Sequence, residues 1–302
     1  MPYHVPVLLA ESVDALAIKP DGVYVDATFG GGGHSREILS RLGEKGRLFA
    51  FDQDSEAPAG SISDPRFTFI GQNFRYIANY LRFYKVQHVD GILADLGVSS
   101  HQFDTAGRGF SIRHDGPLDM RMNPSGQTTA GDMVNGYEAG PLADIFYKYG
   151  ELSQGRQIAA RIVKNRPLET TGQLMDALRS FAAPGRENKF FAQVFQALRI
   201  AVNDEMGALE EFLQQSAGLL APGGRLSVIS YHSLEDRLVK NFIRAGNFSG
   251  EAEKDFYGNV LSPLRAVNRK VIVPSPEEMA ENPRARSAKL RVGEKTSDKQ
   301  KL

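Results

Sequence analysis

Val23-Tyr24-Val25-Asp26-Ala27-Thr28-Phe29-Gly30-Gly31-Gly32-Gly33-His34-Ser35 is the stretch that decides the fold. A short β-rich run ends in four glycines and passes into a segment carrying Ile38, Leu39 and Leu42 at helical spacing, stopped by Gly43. Strand, glycine turn and helix together let a backbone approach a nucleotide-like ligand, because glycine removes the side-chain barrier and the helix start offers unpaired N–H groups. Ser35 is the expected cap of that helix. Working outward, Arg47-Leu48-Phe49-Ala50-Phe51-Asp52 reads as a second strand, Phe67-Thr68-Phe69-Ile70 as a third and Gly91-Ile92-Leu93-Ala94-Asp95 as a fourth, with a helix over residues 76–84 between the last two. This alternation predicts an α/β, Rossmann-like parallel sheet covered on both faces.

The rhythm then stops. Residues 104–202 show no convincing strand, only loops and helical patterns at residues 157–163, 174–181 and 190–202. Strand character resumes at Arg225-Leu226-Ser227-Val228-Ile229-Ser230, after a Pro222-Gly223-Gly224 turn. A helix near residues 234–245 follows, then strands at residues 271–273 and 289–292, and the tail from Gly293 reads as disordered. The economical division is a sheet domain in two parts, residues 1–103 and 203–302, with an all-helical domain, residues 104–202, inserted between its fourth and fifth strands.

The 302 residues are enough to bury a sizeable core. Thirty-six basic residues balance thirty-six acidic ones, so net charge is silent about a nucleic-acid partner. The absence of cysteine removes disulfides, thiolate nucleophiles and Cys-based metal sites together. The six histidines are scattered without a metal-binding pair, so no metal is expected. The first ten residues lack a basic start and are interrupted by Pro6, unlike a secretory signal, and no run approaches the roughly 18 apolar residues of a membrane helix. A soluble, cytoplasmic protein is the expectation.

Three ligand classes compete for the glycine loop. A nucleoside-triphosphate P-loop needs Gly-Lys-Ser/Thr, whereas this loop ends Gly33-His34-Ser35. A dinucleotide fingerprint aligned on Gly30 and Gly32 puts Ser35 where Gly or Ala belongs, which weakens a nicotinamide dehydrogenase. S-adenosylmethionine needs only close backbone approach and an acid for its ribose; Asp52 stands 22 residues after Gly30 (52 − 30), near the roughly 20 expected. Asp26, Asp52 and Asp95 all fall at or near the carboxyl ends of expected parallel strands, the edge where such sheets bind ligands.

The loop, from Asp26 to Ser35, resembles that of the RsmH (MraW) methyltransferases, which methylate N4 of a decoding-site cytidine in 16S ribosomal RNA. The resemblance spans nearly the whole chain. It takes in His4-Val5-Pro6-Val7-Leu8-Leu9, Asp95-Leu96-Gly97-Val98-Ser99-Ser100, Arg108-Gly109-Phe110-Ser111 and Asp115-Gly116-Pro117-Leu118-Asp119-Met120-Arg121-Met122. It continues through Phe195-Gln196-Ala197-Leu198-Arg199-Ile200, His232-Ser233-Leu234-Glu235-Asp236-Arg237 and Asn282-Pro283-Arg284-Ala285-Arg286-Ser287. Seven such stretches in order are specific. The resemblance implies a seven-stranded methyltransferase sheet with a helical insertion, S-adenosylmethionine as cofactor, and contacts to it from Gly32, Gly33, His34, Asp52, Phe74, Asp95 and Gln102. It also implies 16S rRNA within the small ribosomal subunit as partner. His101 stands where the family often has Pro, and Ser55-Glu56-Ala57-Pro58-Ala59-Gly60 replaces a usual helix.

Methyl transfer to an exocyclic cytosine amine meets a poor nucleophile whose lone pair is delocalised into the ring. Enzymes acting on such amines often carry Asp/Asn-Pro-Pro-aromatic after the fourth strand; here Asp95-Leu96-Gly97-Val98 occupies that place, so Asp95 or a nearby carbonyl is the candidate acceptor for the amine N–H. Ser233 and Asp236 fit a capping box, which leaves His232, as a second catalytic candidate, and Arg237 for RNA or the acceptor base. Arg108, Arg113 and Arg121 around Phe110 suggest a clamp for phosphate and a stacking surface for a base. Residues 104–202 carry only 12 basic against 10 acidic residues, while residues 262–302 carry ten against five, so Arg284, Arg286, Lys289 and Arg291 are the expected RNA-backbone contacts. The expectation is an RNA methyltransferase, monomeric or weakly dimeric. The rivals are a non-catalytic assembly factor that keeps the cofactor fold and, further off, the dehydrogenase.

Overall fold

A computed structural model describes residues 6–268 and 270–296. His4 and Val5 of the first quoted stretch, Arg269 and the last six residues lie outside the described residues.

Seven strands form one sheet: β1 (Val23–Asp26), β2 (Arg47–Phe51), β3 (Phe67–Ile70), β4 (Val89–Asp95), β5 (Leu220–Ser230), β6 (Leu264–Ala266) and β7 (Lys289–Lys295), in the order β3-β2-β1-β4-β5-β7-β6. β1 to β5 are mutually parallel, and β7 runs antiparallel between β5 and β6. The order reverses direction at β1, which pairs with β2 on one side and β4 on the other, so the carboxyl ends of those strands face the crevice where such a sheet takes a ligand.

The strands are apolar on both faces because helices cover both. Val25, Phe49, Ile92 and Val228 pack with Ile77, Leu81, Phe212, Val239 and Phe242 on one side. Tyr24, Leu48 and Leu93, the alternate positions, pack with Val13, Leu16, Ile38 and Leu39 on the other. A parallel strand buried on both sides cannot alternate polar and apolar residues, which is why these runs read as short hydrophobic blocks.

The chain divides into two compact units, one of Met1–Gly97 with Met206–Leu302 and one of Val98–Glu205. The second holds six α-helices among its described residues: Ser100–Asp104, Ala130–Gly136, Ala139–Gly150, Gly155–Lys164, Thr171–Leu178 and Glu187–Asn203. Its core gathers Phe146, Ile158, Ile162, Leu174, Val194 and Leu198. The helices at 130–136 and 139–150 were not anticipated, although Thr129 and Asp132 form a capping box that marks the start of the first.

Three expectations are corrected at the carboxyl end of the chain. The sixth strand is Leu264–Ala266, and Ile272 contributes only an isolated bridge to Leu290. Gly293, Glu294 and Lys295, expected in a disordered tail, lie in β7, where Arg265 and Arg225 both reach Glu294. β5 begins at Leu220 and runs through the Pro-Gly-Gly turn with a register shift opposite Val89 and Gly91.

Candidate active site

The glycine loop is built by close approach. Gly32 takes φ +77°, and a Cβ there would lie 2.8 Å from the Phe29 ring; a Cβ on Gly33 would lie 2.1 Å from Pro6. Only glycine meets both demands. The helix that follows, Gly33–Arg41, starts at Gly32 and not at Ser35. Ser35 is fully buried and donates its hydroxyl to Asp26 at 2.6 Å, so the expected cap is instead a tie between loop and strand end. The opening Pro6-Val7 stretch thereby gains a role the sequence did not reveal: Pro6 packs on Gly33, and Leu8 donates its backbone N–H to Glu278.

Three carboxylates close the same edge. Asp26, at the end of β1, accepts from Ser35 and from the Thr28 N–H at 3.1 Å. Asp52, just past β2, accepts from the Gly30 N–H at 2.8 Å and the Asp54 N–H at 2.9 Å. Asp95, at the end of β4, accepts from the Tyr231 hydroxyl at 2.7 Å, while its own N–H donates to Thr28 Oγ1 at 2.6 Å. Among the described residues none of the three is ion-paired to an arginine or lysine, and burial pushes each up to about 6. Groups displaced in this way, with hydrogen-bond donors but no neutralising cation, gather where chemistry or binding is done.

His34 joins them. Its Nδ1 lies 4.0 Å from Asp95 Oδ2, burial lowers its pKa, and its Nε2 is buried without a hydrogen-bond partner among the described residues. Burial and the Asp95 carboxylate thus pull its protonation in opposite directions, with burial the larger influence. Tyr231 sits between Asp95 and the backbone that leads into the next helix, and both its burial and Asp95 push its hydroxyl pKa up, so it stays a donor. Sequence reading passed over Tyr231 and Thr28; the only signal was that each lies within three residues of a strand end at the ligand edge.

Phe74 packs edge-on against Phe212 at 5.1 Å on the rim of the sheet core, half-buried, beside the Asn73 amide that reaches Gln53 at 2.8 Å. Gln102 belongs to the second unit. There it completes a capping box with Ser99 on the helix Ser100–Asp104, its carbonyl taking the Ser99 N–H and its amide reaching the Met122 carbonyl. His101 lies within that helix, and residues 55–60 contain no α-helix, consistent with Pro58 and Gly60.

The residues after β5 are corrected. The cap of the helix Ser233–Ala245 is His232 with Glu235, not Ser233 with Asp236: His232 Nδ1 accepts from the Glu235 N–H at 3.3 Å, and Glu235 Oε2 accepts from the Tyr231 and His232 N–H groups. The other ring nitrogen of His232 comes within 3.2 Å of Glu235 Oε1 but makes no aligned hydrogen bond. Asp236 instead holds Arg291 at 2.6 Å and Lys289 at 3.4 Å, which ties the helix to β7. Arg237, Arg284 and Arg286 are exposed.

In the second unit the expected clamp folds inward. Phe110 is 5% exposed and sits in the core of that unit, so its ring is not a stacking surface. Arg108 lies 6.0 Å over it and donates to the Arg121 and Met122 carbonyls at 2.9 Å. Arg121 grips Asp119 at 2.6 Å, and Asp115 accepts from the Gly172 N–H at 2.7 Å at the start of a helix. Of the clamp residues only Arg113 is exposed.

A sheet in this strand order, with a glycine loop after β1 and carboxylates ending β1, β2 and β4, defines a class I methyltransferase. The family model described as the MraW methylase family matches residues 1–296, and the chain belongs to that family. It is 60% identical over 297 residues to a Parabacteroides distasonis protein named Ribosomal RNA small subunit methyltransferase H, covering 97% of each chain. It is 59% identical over 296 residues to a Bacteroides fragilis protein of the same name, again covering 97% of each, and 56% identical over 298 residues to one from Christiangramia forsetii, covering 98% of each. The dehydrogenase alternative is thereby set aside. No helix among the described residues is long and apolar enough to cross a membrane.

Proposed function

We propose that this chain transfers the methyl group of S-adenosylmethionine to the exocyclic N4 amine of the decoding-site, P-site cytidine in 16S rRNA of the small ribosomal subunit. The observation that carries the reading is the set of three cation-free carboxylates on one sheet edge around a loop that only glycine can form. The relatives' shared name supports the ribosomal RNA of the small subunit as the substrate class.

When bound, the cofactor supplies an electrophilic methyl on a sulfonium. The chain's residues do the rest. Asp52, held by the Gly30 and Asp54 N–H groups, binds the ribose hydroxyls with its remaining lone pairs. Gly32, Gly33 and His34 would hold the methionine part, and Phe74 would hold the adenine. Asp95 would accept the amine N–H and hold the proton that the amine gives up, with Tyr231 fixing the rotamer of the carboxylate. His232 acts through its cap, holding the turn that carries Tyr231. Arg113, Arg237, Arg284 and Arg286 are the RNA contacts, the second unit is the substrate-recognition domain, and the enzyme works in the cytoplasm as a monomer or weak dimer without a metal.

Nucleoside mass spectrometry tests this. Small subunits lacking the modification, incubated with protein and S-adenosylmethionine, are expected to gain N4-methylcytidine, and Asp52→Ala is expected to abolish it. A methyl mark on another base, or none with cofactor binding intact, refutes the assignment.

A further inference from the structure

Pro6, Val7 and Leu8 form a strap against the glycine loop. Pro6 packs on Gly33, where a Cβ would come within 2.1 Å of its ring. The Val7 backbone is in hydrogen-bond contact with the His34 imidazole. Leu8 donates its N–H to Glu278 Oε1 at 2.7 Å, across 270 positions of the chain. Leu8 is fully buried and holds φ +51°, a left-handed conformation that a bulky side chain keeps only where its surroundings fix it.

Glu278 is itself held in place. It lies in the helix Pro276–Glu281, where the Ser275 hydroxyl accepts the Glu278 N–H at 3.1 Å and the Glu278 carbonyl accepts the Asn282 N–H at 2.7 Å. Ala285 and Ala288, further on, share one apolar cluster with Leu290 and Val292 of β7 and with Val7 and Leu8. The strap is thereby referenced to the central sheet. Tyr231 packs on the same cluster, and behind burial, Asp95 and Glu235, the Glu278 charge also keeps its hydroxyl protonated. That hydroxyl is the donor to Asp95.

Four successive glycines have more backbone freedom than any other residues, and a ligand binds only the fraction of molecules whose loop is in place. Support from outside the loop raises that fraction before the ligand arrives.

We propose that Glu278 is a positioning residue for the cofactor loop: by fixing Leu8 it holds Pro6 and Val7 against Gly33 and His34 and keeps the loop in its binding-competent form. The proposal rests on the reading of this loop as the S-adenosylmethionine site and assigns its support to an acid near the other end of the chain.

The test joins two measurements on the full chain: hydrogen exchange over residues 30–35 without cofactor, and S-adenosylmethionine affinity by calorimetry. Glu278→Ala is expected to speed loop exchange and weaken affinity, each roughly 5- to 50-fold, because the Leu8 N–H loses a charged acceptor. Glu278→Gln, whose amide oxygen still accepts that N–H, should stay within about 3-fold of the unaltered chain. Pro6→Ala, at the other end of the strap, should weaken affinity too, and the double variant should be no weaker than the worse single, since both break one support. A lower melting temperature with unchanged loop exchange and affinity reduces the Glu278 bond to a fastening of residues 6–8 and overturns the proposal. So does Gln as damaging as Ala, or additive losses in the double variant. Unchanged exchange and affinity in Pro6→Ala overturn it even if Glu278→Ala does not fold. If the unaltered chain binds no S-adenosylmethionine, the cofactor reading fails, while the exchange comparison still decides whether Glu278 holds the loop.

Discussion

The carboxyl edge of the sheet and the loop region of the inserted unit treat their charged groups in opposite ways. At the sheet edge, Asp26 is buried and Asp52 and Asp95 are half-buried, all three with hydrogen-bond donors but, among the described residues, no arginine or lysine partner, and each is pushed up to about 6. In the insertion, Asp119 is held below the usual carboxylate range by Arg121, and Arg108 is satisfied by two carbonyls, although burial opposes the Asp119 shift. One region keeps charge in an unfavourable setting; the other neutralises it. The first is how a fold stores chemical potential for a ligand, and the second is how a loop-rich segment is fixed in one conformation.

Asp95→Asn should give the largest break in that comparison. If the sheet-edge charge is functional, kcat falls by about 10²–10⁴-fold in a methyl-transfer assay while the folded state persists. Full turnover with unchanged cofactor affinity would reduce Asp95 to a structural carboxylate.

Arg108→Met should do the reverse. It strands the Arg121 and Met122 carbonyls, and the expected loss is about 2–4 kcal/mol of stability by denaturant unfolding, with S-adenosylmethionine affinity measured calorimetrically unchanged. Weakened cofactor binding at full stability would mean Arg108 serves the site after all.

The two regions should also part with pH. A carboxyl whose folded pKa lies above its unfolded value binds its proton more tightly when folded, so its contribution to stability rises as pH falls through about 6 and levels off near 4. Turnover needs the Asp95 carboxylate ionised and should fall over the same window, so activity and stability move in opposite directions between pH 7 and 5. Asp119, displaced downward, contributes stability at neutral pH that is lost only below about 4, as acid protonates it. Asp95→Asn should show a smaller stability gain between pH 7 and 5 than the unaltered chain, by roughly 1–3 kcal/mol, read from denaturant midpoints at each pH. An equal gain in both would place the titration elsewhere.

The smallest effect separates two neighbouring residues. His232→Ala removes the observed cap and should cost about 0.5–2 kcal/mol, whereas Ser233→Ala should stay within about 0.5 kcal/mol. Thermal unfolding of the two variants ranks them, and the opposite ranking would return the cap to Ser233.

The particular misreadings share a cause. Ser35 and Ser233 looked like caps because Ser at a helix start is a sound local rule; each was overruled by a partner distant in sequence or by the one-residue offset set by β5. Arg108 and Phe110 looked like a clamp because composition cannot tell a cation facing solvent from one bonded to a carbonyl 13 or 14 residues away. Composition alone likewise could not show that Arg291 and Lys289 both meet Asp236.

What the sequence by itself determined was the parallel half of the sheet, the glycine loop and the acids at three strand ends, because local periodicity and backbone sterics leave those few alternatives. What only the tertiary structure decided was which polar groups are answered and which are left wanting. That depends on residues far apart in the chain meeting at hydrogen-bond distance: Tyr231 on Asp95 across 136 positions, and Asp236 on Arg291 across 55. Burial then sets the cost of each charge, and no local pattern encodes it.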